Sequence, residues 1–260
     1  MSGRGKKRKD AARVQPARVA RLLGVVLFAG MLLAGGNAAW NWFQRPDVMP
    51  LSRVIVDGEM EHLRRDQLEA VVALAVWGNY FTVDIDAVRK AAASLPWVAS
   101  ATVRRVWPDA LVIRVQERTP FARWGDTALV NGRGEIFRPS SLEGMEELPL
   151  LEGPDDQGEA VVARYRELEP AFAEIGWKLR QLRLDDRGGW HLRLGEGPEI
   201  ALGKESVETR LARALHVLRI LGPDAGRLMR IDARYTSGLA VRWKPQDTPG
   251  SADATAPVRG

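Results

Sequence analysis

From Leu22 to Phe43 the chain reads LLGVVLFAGMLLAGGNAAWNWF, twenty-two residues without a charged side chain. As a helix this stretch reaches about 33 Å, enough to cross a hydrocarbon core of roughly 30 Å. Its polar side chains, Asn37 and Asn41, sit near one end, and Trp40 and Trp42 fall where amphipathic rings favour the headgroup layer. A cleavable signal peptide shares the basic flank and the apolar run, and the small residues Gly36 and Ala38 could satisfy a cleavage site. Length and the tryptophans favour an anchor. Both readings export the chain beyond Phe43.

Charge sets the orientation. The net charge of +5 is unevenly distributed: residues 1–21 hold eight of the 38 basic side chains and one of the 33 acidic ones, Asp10, which makes this segment +7. The remaining 30 basic and 32 acidic groups leave the body of the chain at −2, so it carries no overall basic field and no nucleic-acid partner is expected. Eight cations before the apolar run, against Arg45 and Arg53 shortly after it, predict a cytoplasmic N-terminus and exported domains. The cluster Lys6-Lys7-Arg8-Lys9 is expected to fix topology and to touch anionic inner-membrane lipid. Cysteine is absent, which removes disulfides, thiolate nucleophiles and cysteine metal sites.

Beyond the anchor, periodicity predicts two units. Leu51 to Val56 reads as a strand ending at the turn Asp57-Gly58, and Leu68, Val71, Val72 and Ala75 form one apolar stripe of a helix. A second helix runs from Asp84, its expected N-cap, to Leu95 before Pro96. Val98 to Val106 and the alternation of Leu111, Ile113 and Val115 predict two strands joined at Trp107-Pro108-Asp109. The order strand, helix, helix, strand, strand predicts two helices on one face of a three-stranded sheet. After Pro120 short strands dominate, at Ala128–Val130, Ile136–Phe137, Leu182–Leu184 and Trp190–Leu194. Helices are expected near Ala160–Phe172 and along Val207, Leu211, Leu215 and Leu218, the latter stopped by Gly222-Pro223. The unit closes with an expected hairpin in which Ile231, Ala233 and Tyr235 lie on one strand, Ser237-Gly238 turns, and Leu239, Val241 and Trp243 lie on the other. From Lys244 the composition predicts a disordered tail. The expected division is therefore a basic cytoplasmic tail at 1–21, a transmembrane helix at 22–43, domains at 51–119 and 120–243, and a tail at 244–260.

Catalytic signatures are weak. His62, His191 and His216 lie far apart, and none has a partner at the spacing of a metal-binding helix. Asp155-Asp156 and Asp185-Asp186 stand beside proline or glycine, where aspartate commonly shapes turns. Gly132-Arg133-Gly134 and Gly195-Glu196-Gly197 lack a phosphate-binding fingerprint, Gly203-Lys204 is followed by Glu205, and Tyr235-Thr236-Ser237-Gly238 reads as a turn. No enzymatic activity, metal or cofactor is expected.

Leu95-Pro96-Trp97-Val98, Val103-Arg104-Arg105, Trp107-Pro108-Asp109 and Val115-Gln116-Glu117-Arg118 resemble, in order and spacing, the POTRA domain of the FtsQ/DivIB family of bacterial cell division proteins. Phe121-Ala122-Arg123-Trp124, Val130-Asn131 before Gly134, Leu148-Pro149 and Asp232-Ala233-Arg234-Tyr235 with Ser237-Gly238 and Trp243 resemble that family's β domain. The resemblance spans nearly the whole chain and implies an α+β fold: a single transmembrane helix, a POTRA domain, then a mainly β domain with flanking helices.

It also implies a non-catalytic scaffold of the division septum, in the inner membrane with its main domains in the periplasm. Such a scaffold recruits FtsB and FtsL and links early and late division proteins to control septal peptidoglycan synthesis. The family's last strand is an open edge that accepts a strand of FtsB. Carried over position by position, the partner-binding set is Arg234, Tyr235, Ser237, Gly238, Leu239, Ala240, Val241 and Trp243. Val103 and Arg105 match a recruitment face on the POTRA strand. Two other classes stay open at this point: a POTRA-type assembly or secretion factor, which needs further POTRA units or barrel strands, and a periplasmic cell-wall enzyme.

Overall fold

The computed structural model describes residues 16–45 and 47–245. The first fifteen residues of the basic tail, Pro46 of the linker and residues 246–260 of the C-terminal tail lie outside the described residues. Helix α1 spans Pro16–Phe43, and within it Leu23–Phe43 is long and apolar enough to cross a membrane, with a mean hydropathy of 1.6.

The chain divides into two compact units, one formed by residues up to 95 with 100–116, the other by 96–99 with the residues from 117 onward. The first contains β1 (Arg53–Asp57), α2 (Arg65–Ala73), α3 (Ile85–Ala93), most of β2 (Val98–Val106) and β3 (Ala110–Glu117), in a sheet ordered β1-β3-β2. β1 runs parallel to β3, with Val54 opposite Leu111 and Val56 opposite Ile113. A parallel pair needs a long connection, and α2 and α3 lie within it. Asp84 caps α3 as expected, its carboxylate accepting from the amides of Asp86 and Ala87. Leu68 and Val72 of α2, Val88 and Ala92 of α3, and Leu111, Ile113 and Val115 of β3 are all buried, while Arg114 and Gln116 on the other face of β3 are exposed. This is the α+β layering that the periodicity predicts.

The second unit is built on a nine-stranded sheet. Its strands are β4 (Pro120–Trp124), β5 (Ala128–Asn131), β6 (Ile136–Phe137), β7 (Leu150–Glu152), β8 (Leu179–Leu184), β9 (Trp190–Leu194), β10 (Glu199–Gly203), β11 (Leu228–Asp232) and β12 (Ala240–Trp243). Their spatial order is β12-β11-β10-β9-β8-β7-β4-β5-β6. Two helices are crossovers: α4 (Gly158–Ala173) joins the parallel pair β7 and β8, and α5 (Val207–Leu221) joins the parallel pair β10 and β11. Val161, Tyr165, Leu168 and Phe172 of α4 and Val207, Ala214, Leu215 and Leu218 of α5 share one core with the sheet.

One row of directly opposed residues carries that core across the strands: Trp124, Leu151, Leu182, Leu192, Ile200 and Ile231. All six are buried. The neighbouring row is polar, with Glu152 opposite Arg183, Arg183 opposite His191, His191 opposite Ala201, and Ala201 opposite Asp232. Alternation with period two therefore separates an apolar face under the helices from a charged open face.

Several expected boundaries shift. The short strands β4, β7 and β10 lack clear alternation in the sequence, since β10 is buried at four of its five positions and β7 has three residues. The closing hairpin differs most. β11 ends at Asp232, and seven residues separate it from β12, so Arg234 and Tyr235 sit in a loop and not on a strand. The amide of Ala233 donates to the carbonyl of Ala201 at 2.9 Å, which holds the chain against β10 where a tight hairpin would turn away.

Two substitutions test this packing by denaturant unfolding of the full chain. Gly134 has φ of 83°, and a Cβ there would lie 2.3 Å from the amide nitrogen of Glu159, so Gly134→Ala is expected to destabilise by about 2–4 kcal/mol. The buried Tyr165 hydroxyl donates to the carbonyl of Leu179 at 3.0 Å, and burial pushes its pKa up to about 12. The folded state keeps a proton that the unfolded chain releases near the ordinary value of 10.0, so this group's contribution is complete below that pH and declines as pH rises toward about 12. Tyr165→Phe is expected to remove that alkaline component and to cost about 1 kcal/mol at neutral pH. An unchanged alkaline profile would count against the assignment.

Candidate functional site

Among the described residues β12 is the last strand of the nine-stranded sheet and pairs on one side only, antiparallel to β11. Asp232 opposes Ala240, Ile231 opposes Val241, and Arg230 opposes Arg242. All four residues of β12 are exposed. Because Val241 is the register partner of Ile231, it extends the apolar row of the core to the sheet's rim, where it is 41% exposed. The row ends there without a covering neighbour. Ala240 and Arg242 continue the charged open face.

A loop, residues 233–239, leads into this edge and is tied down at both ends. The guanidinium of Arg234 donates to both carboxylate oxygens of Asp232, at 2.9 and 2.6 Å, and the Arg234 amide donates to the same carboxylate at 3.2 Å. Arg234 holds the Asp232 carboxyl below the usual carboxylate range, and Asp232 in turn raises the pKa of Arg234. At the other end Arg213 of α5 donates to the carbonyl of Gly238 at 2.8 Å. Past the strand, the Lys244 amide donates to the carbonyl of Arg227 at 2.9 Å, and the Arg227 guanidinium lies 5.9 Å from the centre of the Trp243 ring.

The expected site residues fall into three groups. Ala240, Val241 and Trp243 form the exposed edge, with Trp243 45% exposed. Tyr235 stands out from the loop at 59% exposure, Ser237 is exposed beside it, and a Cβ at Gly238 would meet no atom within 4 Å. Leu239 and Arg234 point to internal roles instead. Leu239 is half-buried against the core, and the Arg234 guanidinium is paired with Asp232 while its side chain stays exposed at the edge of the loop. A shallow groove on the open face brings Arg230, Asp232, Arg234, Tyr235, Ala240 and Arg242 together.

Sequence reasoning missed Asp232, Arg213 and Arg242. Arg242 had a usable signal, since it alternates with Val241 and Trp243 on a strand. Nothing local distinguished Arg213, whose role depends on where α5 lands.

In the first unit, Val103 and Arg105 lie on β2, an edge of the three-stranded sheet. Arg105 is committed inward, donating to the carbonyl of Val83 at 2.7 Å. The other candidates serve local structure. Asp185 accepts from the amides of Arg187 (3.0 Å) and Gly189 (2.7 Å) in the turn between β8 and β9, and lies 2.8 Å from Nε2 of His191. The Gly189 amide, with His191, holds its carboxyl below the usual range. Asp155 accepts from the indole of Trp124 at 3.0 Å and from Arg138 at 2.5 Å. Among the described residues no three His, Cys, Asp or Glu side chains converge as a metal site.

Comparison with known proteins agrees with this architecture. Residues 49–118 match the family "POTRA domain, FtsQ-type", and residues 122–234 match "Cell division protein FtsQ/DivIB, C-terminal". The latter match ends at Arg234, so the case for β12 as an edge rests on geometry. The Cell division protein FtsQ of Allochromatium vinosum is 38% identical over 90% of this chain and 92% of its own length. Those of Xanthomonas campestris pv. campestris and Coxiella burnetii are 36% and 31% identical over 90% and 91% of this chain, and 84% and 94% of their own lengths. With its single N-terminal apolar helix, POTRA unit and β-rich C-terminal unit, the chain belongs to the FtsQ/DivIB family of cell division proteins.

Proposed function

We propose that this protein is a non-catalytic scaffold of the division septum that captures FtsB, together with FtsL, by strand addition at β12. The observation that carries the reading is the unfinished edge: backbone groups on the free side of β12, next to an apolar row that stops at a half-exposed Val241. An added strand supplies main-chain hydrogen bonds, and its alternate side chains are read by position. An apolar residue opposite Val241 would continue the core row. An acidic residue opposite Arg242 would relieve the like-charge pairing of Arg242 with Arg230. Tyr235 lines the groove with a large ring, Ala240 leaves room beside it, Ser237 and Gly238 supply a hydroxyl and open backbone in the loop that leads to it, and Trp243 lies with Val241 on the other face of the strand. Leu239 and Arg234 shape the loop that presents them.

On this reading α1 spans the inner membrane with the N-terminus in the cytoplasm and this edge in the periplasm. The eight cations before the apolar run support that orientation. Upstream division proteins dock on the POTRA unit, with the half-buried Val103 as a contact on β2 and Arg105 as the brace that keeps that strand in place. The scaffold thereby links early and late division proteins and controls septal peptidoglycan synthesis through what it assembles.

Proline scanning of β12 tests the edge directly. Successive residues of an edge strand point their amides in alternate directions, so proline at 241 and at 242 should behave differently. One variant loses a ladder bond to β11 and unfolds more easily. The other keeps its stability in thermal melts and loses co-purification of FtsB and FtsL with the full chain in detergent. Equal capture by both variants would exclude strand addition.

Side-chain reading is tested by Val241→Asp and Arg242→Glu, both exposed and expected to change folding stability by less than about 0.5 kcal/mol. Titration of a periplasmic FtsB segment against the full chain should show Val241→Asp weakening capture by roughly tenfold or more, as burial of an unpaired carboxylate requires. Arg242→Glu should weaken it less at high salt than at low salt. Affinities unaffected by either change would place the contact elsewhere.

A further inference from the structure

The first unit is tied to the end of the anchor by a residue the edge-strand reading does not use. Asn79 is fully buried, and its side-chain amide donates to the backbone carbonyls of Phe43 at 2.6 Å and Arg45 at 2.9 Å. The Phe43 carbonyl is the last of α1 and has no partner further along the helix, while that of Arg45, two residues past the helix, also accepts from the amide of Val48 at 3.1 Å. The Asn79 side-chain oxygen accepts from the amides of Phe81 at 2.9 Å and Thr82 at 3.0 Å, so one side chain clamps loop and helix end together. Next to it the Tyr80 amide donates to the carbonyl of Met49 at 3.1 Å, and the rings of Phe43 and Phe81 meet edge to face at 5.9 Å. Arg105 brings the end of β2 to the same loop through the carbonyls of Val83 and Phe81. The turn after β2 is held to the linker by the amides of Ser52 and Arg53 on the carbonyl of Asp109.

The residues gathered around that junction are apolar and uncovered. Trp77 is 82% exposed, Leu74 82%, Trp107 73% and Phe81 50%. Four large apolar side chains left in water at one end of a small domain mark a contact surface. The hydrogen bonds of Asn79 fix what lies against it: the loop bearing Trp77 and Phe81 is within bonding distance of Phe43 and Arg45, where the membrane-spanning helix ends. Trp40, Trp42 and Phe43 form the aromatic belt of the anchor itself, and tryptophan rings are favoured in the headgroup layer.

We propose that this end of the POTRA unit is a lipid-binding face, in which Trp77, Phe81 and Trp107, flanked by Leu74, enter the headgroup layer of the bilayer that α1 spans. The inference rests on α1 as a membrane span and is independent of strand addition at β12. Asn79 sets the angle and the aromatic residues hold it, so the unit lies on the membrane surface and does not swing freely on its linker.

The test uses the full chain in vesicles of phosphatidylethanolamine and phosphatidylglycerol, prepared with and without phosphatidylcholine brominated near the top of its acyl chains. In a Trp40→Phe, Trp42→Phe background the belt of the anchor is silent. Two of the seven remaining tryptophans should then be quenched by the brominated lipid, removing roughly a fifth to a quarter of the emission. Adding Trp77→Phe and Trp107→Phe, both at exposed positions, should abolish that quenching. Emission from the background chain that is indifferent to brominated lipid would overturn the proposal and leave the patch to a protein partner. Quenching that survives the second pair of substitutions would also overturn it. Neither result depends on capture of FtsB.

Discussion

The register that aligns Trp124, Leu151, Leu182, Leu192, Ile200 and Ile231 across six strands is the constraint on which the second unit depends. A slip of one residue at any of these pairs would turn an apolar side chain toward the open face and an arginine or glutamate toward the helices. The crossovers α4 and α5 lie over this row because parallel neighbours require long connections, and their stripes seal it from water. The row continues to Val241, where the seal ends. The edge is thus the outermost layer of the core itself, and the proposed strand addition would find there both backbone groups and an apolar register to follow.

An open edge is also a hazard, since any strand of suitable length can pair with it. Here β12 has only four residues and carries Arg242 opposite Arg230, which discourages pairing with basic or purely apolar strands. The loop before it is held by two independent ties, Asp232 to Arg234 and Arg213 to Gly238. Both keep the entrance to the edge ordered, which under the proposed strand addition would lower the entropy lost on binding. Near the other end of the chain, Asn79 performs a similar service for the anchor, joining a helix end to a domain through bonds that one side chain supplies.

Much of this was legible in the residues, and the misses share a cause. The cap at Asp84, the stripe of α5 and the Asp185 turn depend on neighbours a few positions away, and the structure has them where the pattern predicts. β7 escaped because three residues are too few to show alternation, and β10 because a strand buried at four of its five positions has none to detect. At the closing hairpin the alternation of Ile231, Ala233 and Tyr235 continues past the end of the strand. Ala233 is buried because its amide reaches back to Ala201 of β10, a contact decided thirty-two positions earlier in the chain. Arg234 is a different case, since its bond to Asp232 spans only two positions and no motif or periodicity announced it.

By itself the sequence determined the membrane span, the sign of the charge on either side of it, the helices and the succession of two units, because each depends on periodicity or composition over a few turns of chain. Tertiary structure alone decided that β12 stands at the rim and not within the sheet, that Val241 ends the core row, and that Asn79 meets the end of α1. Those outcomes are set by which strands pair and where helices land. Pairing is a property of distant segments whose individual preferences are nearly degenerate until the whole apolar face is buried at once.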